Sequence, residues 1–185
     1  MKQLQILCWF SIIICFVSCN NSTQLPTSNK TLSQASQEDT AQSVAIMPGD
    51  FLFIQEDCGP FCEAIEGVTP SYNNIPMNHV GFKVKYNNTS YIIEAVSGGV
   101  RVVSLASFLD RAASKVVIGR LLPQYKHLID SAMSFAIRQI NVPYDSEFKL
   151  NNNKYYCSEL IYDAFKYANG NKDFFEWNQM TFKGE

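Results

Sequence analysis

Histidine is scarce in this sequence: the 185 residues contain only two, His79 and His127. The formal net charge of -2 lacks the basic excess typical of nucleic-acid-binding proteins, so we expect no nucleic-acid partner. No second cysteine pair and no His-x-His run completes a four-ligand zinc site with Cys58 and Cys62. We therefore expect no metal and no cofactor. A histidine that acts as a general base has to be either His79 or His127.

The N-terminal apolar run is too short for a comfortable membrane span and is typical of a secretory signal. Its end, 16–19, resembles a bacterial lipoprotein processing site. We predict a signal peptide at 1–18, a lipidated Cys19 and a disordered tether over 19–45, with an ordinary signal peptide as the alternative. Asn20 and Asn21 stand where an acidic residue would signal retention, which favours an outer-membrane lipoprotein of the cell envelope, facing the periplasm.

The remaining segment, 46–185, has the pattern of one α+β domain, and nothing in it indicates an oligomeric state. Antiparallel strands in the middle and helices towards the end favour a central antiparallel sheet or half-barrel packed against helices. Predicted strands lie within 46–54 and at 79–86, 91–96, 100–105 and 115–122, and predicted helices lie at 59–68, 107–112 and 124–140 and from 157 onwards.

Cys157 stands at the start of an amphipathic helix, where unpaired backbone N–H groups and the helix dipole favour a thiolate. The alternative is that Cys157 is one more small buried hydrophobic residue. Three cysteines remain after 46, and an odd number suggests that Cys58 and Cys62 pair while Cys157 stays free. Four-residue spacing within one helix rarely suits disulfide geometry, so this pairing stays open.

His79 opens a predicted strand just after a proline-containing loop, where an imidazole can meet a thiol at a helix start. Glu94 lies in an otherwise apolar strand and, if buried, needs a partner. A turn centred on Asn88 and Thr89 would place Glu94 opposite Lys83, about two pairs from His79. A bulge, or a turn shifted towards Lys85, would bring Glu94 and His79 together. An edge ion pair between Glu94 and Lys83 is therefore the alternative. His127 is expected to be an ordinary helical surface residue.

The order and spacing of these motifs resemble the YiiX/YaeF family of permuted papain-like amidases, which is related to NlpC-type cell-wall hydrolases and to lecithin retinol acyltransferase. The matching segments are Gly49-Asp50-Phe51-Leu52-Phe53, Asp57-Cys58-Gly59-Pro60, Asn78-His79-Val80-Gly81-Phe82, Ile93-Glu94-Ala95, Tyr144-Asp145-Ser146-Glu147-Phe148 and Tyr155-Tyr156-Cys157-Ser158-Glu159-Leu160-Ile161. The histidine precedes the cysteine, as the permuted family requires.

The resemblance implies a permuted papain-like fold with Cys157 as nucleophile, His79 as general base and Glu94 as the residue that orients the base. We also expect Tyr156 and Asp50 to line the substrate cleft. Kinship and the expected compartment imply hydrolysis of an amide in cell-wall peptide by a membrane-anchored enzyme. Acyl transfer or thioester hydrolysis on lipid, and a non-catalytic binding lipoprotein, are the alternatives.

Overall fold

A computed structural model describes residues 44–176. The signal peptide, Cys19 and nearly all of the predicted tether therefore lie outside the described residues. Within 44–176, no helix is long and apolar enough to cross a membrane. The fold described below is that of the predicted α+β domain.

Five strands form one antiparallel sheet whose spatial order is β4-β3-β2-β1-β5. The strands are β1 (Phe51–Ile54), β2 (His79–Tyr86), β3 (Thr89–Val96), β4 (Gly99–Val103) and β5 (Val117–Gly119). Together with the helices below, the sheet confirms the predicted fold class. The last strand is shorter than the predicted 115–122.

The helices are α1 (Pro60–Glu66), α2 (Leu105–Leu109), α3 (Ile129–Arg138) and α4 (Cys157–Ala168). The predicted α-helix at 124–140 is wrong in its first five residues, because Pro123–Leu128 forms a 3-10 helix before α3 begins. His127 is exposed on that 3-10 helix, and its Nδ1 donates to the Gln124 carbonyl at 2.9 Å.

Each face of the sheet packs against different helices, because side chains alternate along a strand. On one face, Phe82, Ile93 and Ala95 pack with residues of α3 and α4 in the larger core. On the other face, Leu52 and Ile92 pack with Phe108 of α2 in a smaller core. The sheet is thus covered on both sides over the part that carries the candidate site.

The turn between β2 and β3 sets the register of the site. Asn87 and Asn88 form a two-residue turn with φ values of 47° and 61°, a left-handed conformation that asparagine tolerates well. Tyr86 therefore pairs with Thr89, one residue earlier than a turn on Asn88 and Thr89 would give. This register pairs Phe82 with Ile93 and leaves Glu94 opposite Gly81, diagonal to His79.

The alternative role for Glu94, an edge ion pair with Lys83, is wrong. Lys83 pairs across the strands with Ile92, and its Nζ donates to the carbonyl oxygen of Ile46 at 2.7 Å. The cross-strand partner of Glu94 is Arg101 on β4. Glu94 is also fully enclosed, at 1% exposure, and is not an edge residue.

Cys58 and Cys62 form a disulfide with their Cα atoms 5.3 Å apart. The objection from helical spacing does not apply, because α1 begins at Pro60 and leaves Cys58 outside the helix. Cys157 is the free cysteine of the described segment 44–176. The pairing of Cys58 with Cys62 and the free thiol of Cys157 therefore agree with what the odd number of cysteines suggested.

Candidate active site

The imidazole of His79 connects a carboxylate and a thiol. His79 is the first residue of β2 and is 8% exposed. Its Nε2 lies 2.7 Å from Glu94 Oε2, and Cys157 is close enough to raise the pKa of the ring. Cys157 is the first residue of α4 and is half-buried. With Nε2 turned to the carboxylate, Nδ1 is the ring nitrogen left to serve the thiol.

Glu94 is held as an anion by several donors at once. Arg101 Nε lies 3.0 Å from one carboxylate oxygen, and an Arg111 guanidinium nitrogen lies 2.5 Å from the other. Burial alone would raise the pKa of Glu94, but the hydrogen bonds and charges of His79 and Arg111 outweigh it and lower the pKa to about 2. The carboxylate is therefore ionised across the physiological pH range.

The same contacts favour a charged imidazole. Burial pulls the pKa of His79 down, but hydrogen bonds to Cys157 and Glu94, together with the negative charges of Cys157 and Glu56, raise it from 6.5 to about 9. A carboxylate on one side of the imidazole and a thiol near the other is the arrangement that a cysteine nucleophile needs.

Close packing between β2 and α2 holds the His79 ring in place. A Cβ atom on Gly81 would lie 2.4 Å from Ile92 Cγ2 and 2.5 Å from Phe108 Cε2, so only glycine fits at this position. The Phe108 ring in turn lies 5.8 Å from the His79 ring, centroid to centroid. Gly81 thus lets α2 approach the strand closely enough to support the imidazole.

The loop before α1 is tied to the site through Asn78, which is 6% exposed. Its amide pairs with the backbone of Glu56 in both directions, at 2.8 and 2.9 Å, and also donates to Glu66 on α1 at 2.7 Å. These bonds hold Glu56 next to His79. The Cys58–Cys62 disulfide joins the same loop to α1.

Neither of the predicted cleft residues has the predicted placement. Asp50 is 1% exposed and pairs with Arg120 through both oxygens at 2.7 Å, at the end of β1 opposite to the one beside His79. It is an ion-pair partner in the core and not a cleft residue. Tyr156 directly precedes Cys157 but is also 1% exposed, and it packs against Phe148. Its side chain supports the start of α4 and does not line an open cleft.

Sequence reasoning missed the arginines and Glu56. The Ser97–Gly98 turn implies the pairing of Glu94 with Arg101, so that contact could have been found from the sequence. Arg111 follows α2 and reaches Glu94 across 17 positions, a contact that no local pattern indicates. Tyr144 was also missed. Burial raises its pKa, and the negative charge of Cys157 adds to this effect, so Tyr144 lies near the thiol.

A cysteine at a helix start, a histidine at a strand start and a buried carboxylate beside the imidazole have the arrangement expected of a papain-like cysteine hydrolase on a permuted chain. A family model described as "Permuted papain-like amidase enzyme, YaeF/YiiX, C92 family" matches residues 45–184. The chain belongs to this family, which confirms the resemblance and indicates a cysteine amidase or peptidase.

One similar solved structure is that of the metalloprotein yiiX from Escherichia coli O157:H7. The sequences are 26% identical, the TM-score is 0.55, and the match covers 66% of this chain and 66% of that chain. No curated protein matches this chain.

Because yiiX is described as a metalloprotein, the fit of a metal to this chain can be tested. Within 44–176, one group of His, Cys, Asp and Glu side chains is close enough to share an ion: ligand atoms of Glu56, His79 and Glu94 all lie within 4.8 Å of one another. Arg111, however, forms an ion pair with Glu56 at 2.9 Å and donates to Glu94 at 2.5 Å. The positive charge of Arg111 already lies between the two carboxylates and would repel a metal ion there, so the residues as arranged do not fit a metal ion.

Proposed function

We propose that this protein is a cysteine amidase in which Cys157 is the nucleophile, His79 the general base and Glu94 the group that orients the base. The observation that carries the proposal is the 2.7 Å contact between His79 Nε2 and the buried Glu94 carboxylate, with Cys157 near enough to raise the pKa of the same ring. The family to which the chain belongs supports the reaction class.

The reaction begins when His79 takes the proton of Cys157, and its raised pKa of about 9 favours the imidazolium that results. The thiolate attacks the amide carbonyl carbon, and the backbone N–H of Cys157 at the start of α4 donates to the developing oxyanion. The imidazolium then gives its proton to the leaving amine, and an acyl-enzyme remains on Cys157. His79, now neutral, takes a proton from water, which hydrolyses the thioester and restores the pair.

Glu94 keeps the ring in place throughout this cycle. A buried carboxylate on Nε2 fixes the tautomer in which Nδ1 faces the thiol, and it stabilises the imidazolium each time it forms. Because the pKa of Glu94 is near 2, the proton stays on the imidazole and does not move to the carboxylate.

We further propose that the substrate is an amide in cell-wall peptide and that the enzyme is anchored to the periplasmic side of the outer membrane through a lipid on Cys19. The support is the signal-like segment 1–18, the position of Cys19 after it and the kinship with cell-wall hydrolases. Direct support for the anchor would be the lipid mass on the N-terminal peptide of protein extracted from membranes.

The test compares purified protein with Cys157→Ala and His79→Ala on digested peptidoglycan, with mass spectrometry of the products. Both variants should lose the new amine and carboxylate products. His127→Ala is the matched control, because the second histidine is exposed on the 3-10 helix, and it should keep full activity. Identical products from wild type and Cys157→Ala would refute the nucleophile, and an acyl group carried from lipid onto the Cys157 peptide would favour the acyltransferase alternative.

A further inference from the structure

Arg111 bridges two carboxylates beside the proposed catalytic residues. One terminal nitrogen of its guanidinium lies 2.9 Å from Glu56 Oε1, and the other lies 2.5 Å from Glu94 Oε2. The side chain is 28% exposed, and the guanidinium carbon lies 5.2 Å from the centroid of the Phe108 ring. The planar group is therefore held by a hydrogen bond to Glu94, an ion pair with Glu56 and one aromatic ring.

The two carboxylates that Arg111 joins would otherwise repel each other. Glu94 is enclosed and Glu56 half-buried, and their oxygens lie within 4.8 Å of one another and of the His79 ring nitrogen. Two carboxylates at this separation need a cation to remain ionised together. The position between them is the one that a metal ion would take in a metal site, and Arg111 holds it.

A second arginine, Arg101, contacts Glu94 in a different way from Arg111. It also donates to Glu94, through Nε at 3.0 Å, but to the oxygen that does not contact His79. Its side chain is 48% exposed, so water can replace much of its contribution. Arg111 instead contacts Oε2, the same oxygen that receives His79.

We propose that Arg111 is a positioning residue: its guanidinium takes the place of a metal ion between Glu56 and Glu94 and fixes the Glu94 oxygen that holds His79. This role rests on the proposed function of Cys157 and His79, but it is tested without any substrate. Arg111 acts through Glu94 and His79 and does not touch the reacting atoms.

The first experiment measures the rate at which iodoacetamide alkylates Cys157 between pH 5 and 9. The groups facing His79 are Glu94, Glu56 and Cys157, and removing the Arg111 charge leaves this cluster more negative, which disfavours a thiolate. In Arg111→Met the rate at pH 6 should fall about tenfold, and the acid limb of the profile should move to higher pH. Arg111→Lys keeps the charge but cannot bridge both carboxylates, so it should restore only part of the rate.

Arg101→Met is the matched control and should lower the rate by no more than about threefold, as expected for an exposed ion pair. Thermal unfolding of each variant separates folding from positioning. A purely structural role predicts a lower melting temperature with an unchanged pH profile, and that result would overturn the proposal. An effect of Arg101→Met equal to that of Arg111→Met would overturn it as well.

The second experiment asks whether a metal can take the vacated position. It uses Co²⁺ as the probe and a Cys157→Ala background, so that the thiol cannot act as a ligand. Addition of Arg111→Ala should create a site of one imidazole and two carboxylates with a visible d–d absorption band, which Cys157→Ala alone should not show. Stoichiometric Co²⁺ binding while Arg111 is present, or none after its removal, would contradict the proposal. If peptidoglycan is never cleaved but these results hold, the substrate assignment fails and the role of Arg111 stands.

Discussion

Replacement of Glu94 by glutamine isolates the charge of the orienting residue. Glutamine has nearly the same size and keeps an oxygen that can accept from His79 Nε2, where the carboxylate now lies at 2.7 Å. The site is enclosed, with Glu94 at 1% exposure, so water cannot easily replace the lost charge. Any change in the proton affinity of His79 therefore reports the electrostatic contribution of Glu94.

The expected size follows from the pKa of His79. The rise from 6.5 to about 9 corresponds to about 3 kcal/mol of preference for the charged ring, reached against the opposing effect of burial. Cys157 and Glu94 share this effect, so we expect Glu94→Gln to lower the pKa of His79 by about 1 to 2 units. A raised histidine pKa stabilises the fold fully below pH 6.5 and loses this stabilisation as the pH rises through 9. The pH-dependent stability difference between wild type and Glu94→Gln should therefore be largest below pH 6.5 and vanish above 9.

The assay is an NMR titration of protein with labelled histidine, which should give two imidazole signals. His79→Ala assigns them, and the His127 signal is an internal reference that should titrate alike in wild type and variant. A His79 titration that stays at about 9 in Glu94→Gln would refute the electrostatic role of this carboxylate. An unchanged catalytic rate would show that another residue orients the ring.

Three further outcomes can be checked by urea unfolding. Burial raises the pKa of Glu159 to about 8, and the charges of Asp163 and Asp145 add to this effect, so stabilisation that is present below pH 4.5 is lost as the pH rises to 8. Over that range the free energy of unfolding of Glu159→Gln should rise by about 4 kcal/mol relative to wild type. Parallel pH curves for the two proteins would refute this. Gly81→Ala should cost about 1–3 kcal/mol, because its Cβ would lie within 2.5 Å of two side chains; unchanged stability would mean that these side chains relax freely. Replacing both cysteines of the Cys58–Cys62 disulfide by serine should cost about 2 kcal/mol, as expected for a short closed loop, and an equal loss in reduced wild type is the control.

The sequence predicts the parts of the fold that depend on periodicity. Strand β2 begins at His79 and helix α4 begins at Cys157, as the alternating and amphipathic patterns indicate. Both residues of the proposed nucleophile-base pair could be placed because each stands at the end of a regular element. The contact of His79 with Glu94 depends on where the turn between β2 and β3 falls. Asn87 and Asn88 tolerate a left-handed backbone, and this places the turn on these two residues.

The remaining site residues depend on contacts that periodicity does not encode. Asp50 was expected to line the cleft, yet its partner Arg120 lies 70 positions along the chain. Arg111 reaches Glu94 and Glu56 from the irregular segment after α2, where no repeating pattern fixes the direction of a side chain. Tertiary packing determines both contacts.

The proposed site also depends on both cores of the domain. Cys157 packs against the larger core, which α3 and α4 form with one face of the sheet. His79 contacts Phe108 of α2, which belongs to the smaller core on the other face. Because the nucleophile and the base are anchored in different cores, the thiolate-imidazolium pair can form only when both are folded. Loosening of the small core around α2 would therefore separate the pair while leaving the nucleophile helix in place. The close approach of Phe108 to Gly81, with the Phe108 ring beside the imidazole and near the guanidinium of Arg111, supports the pair from this side.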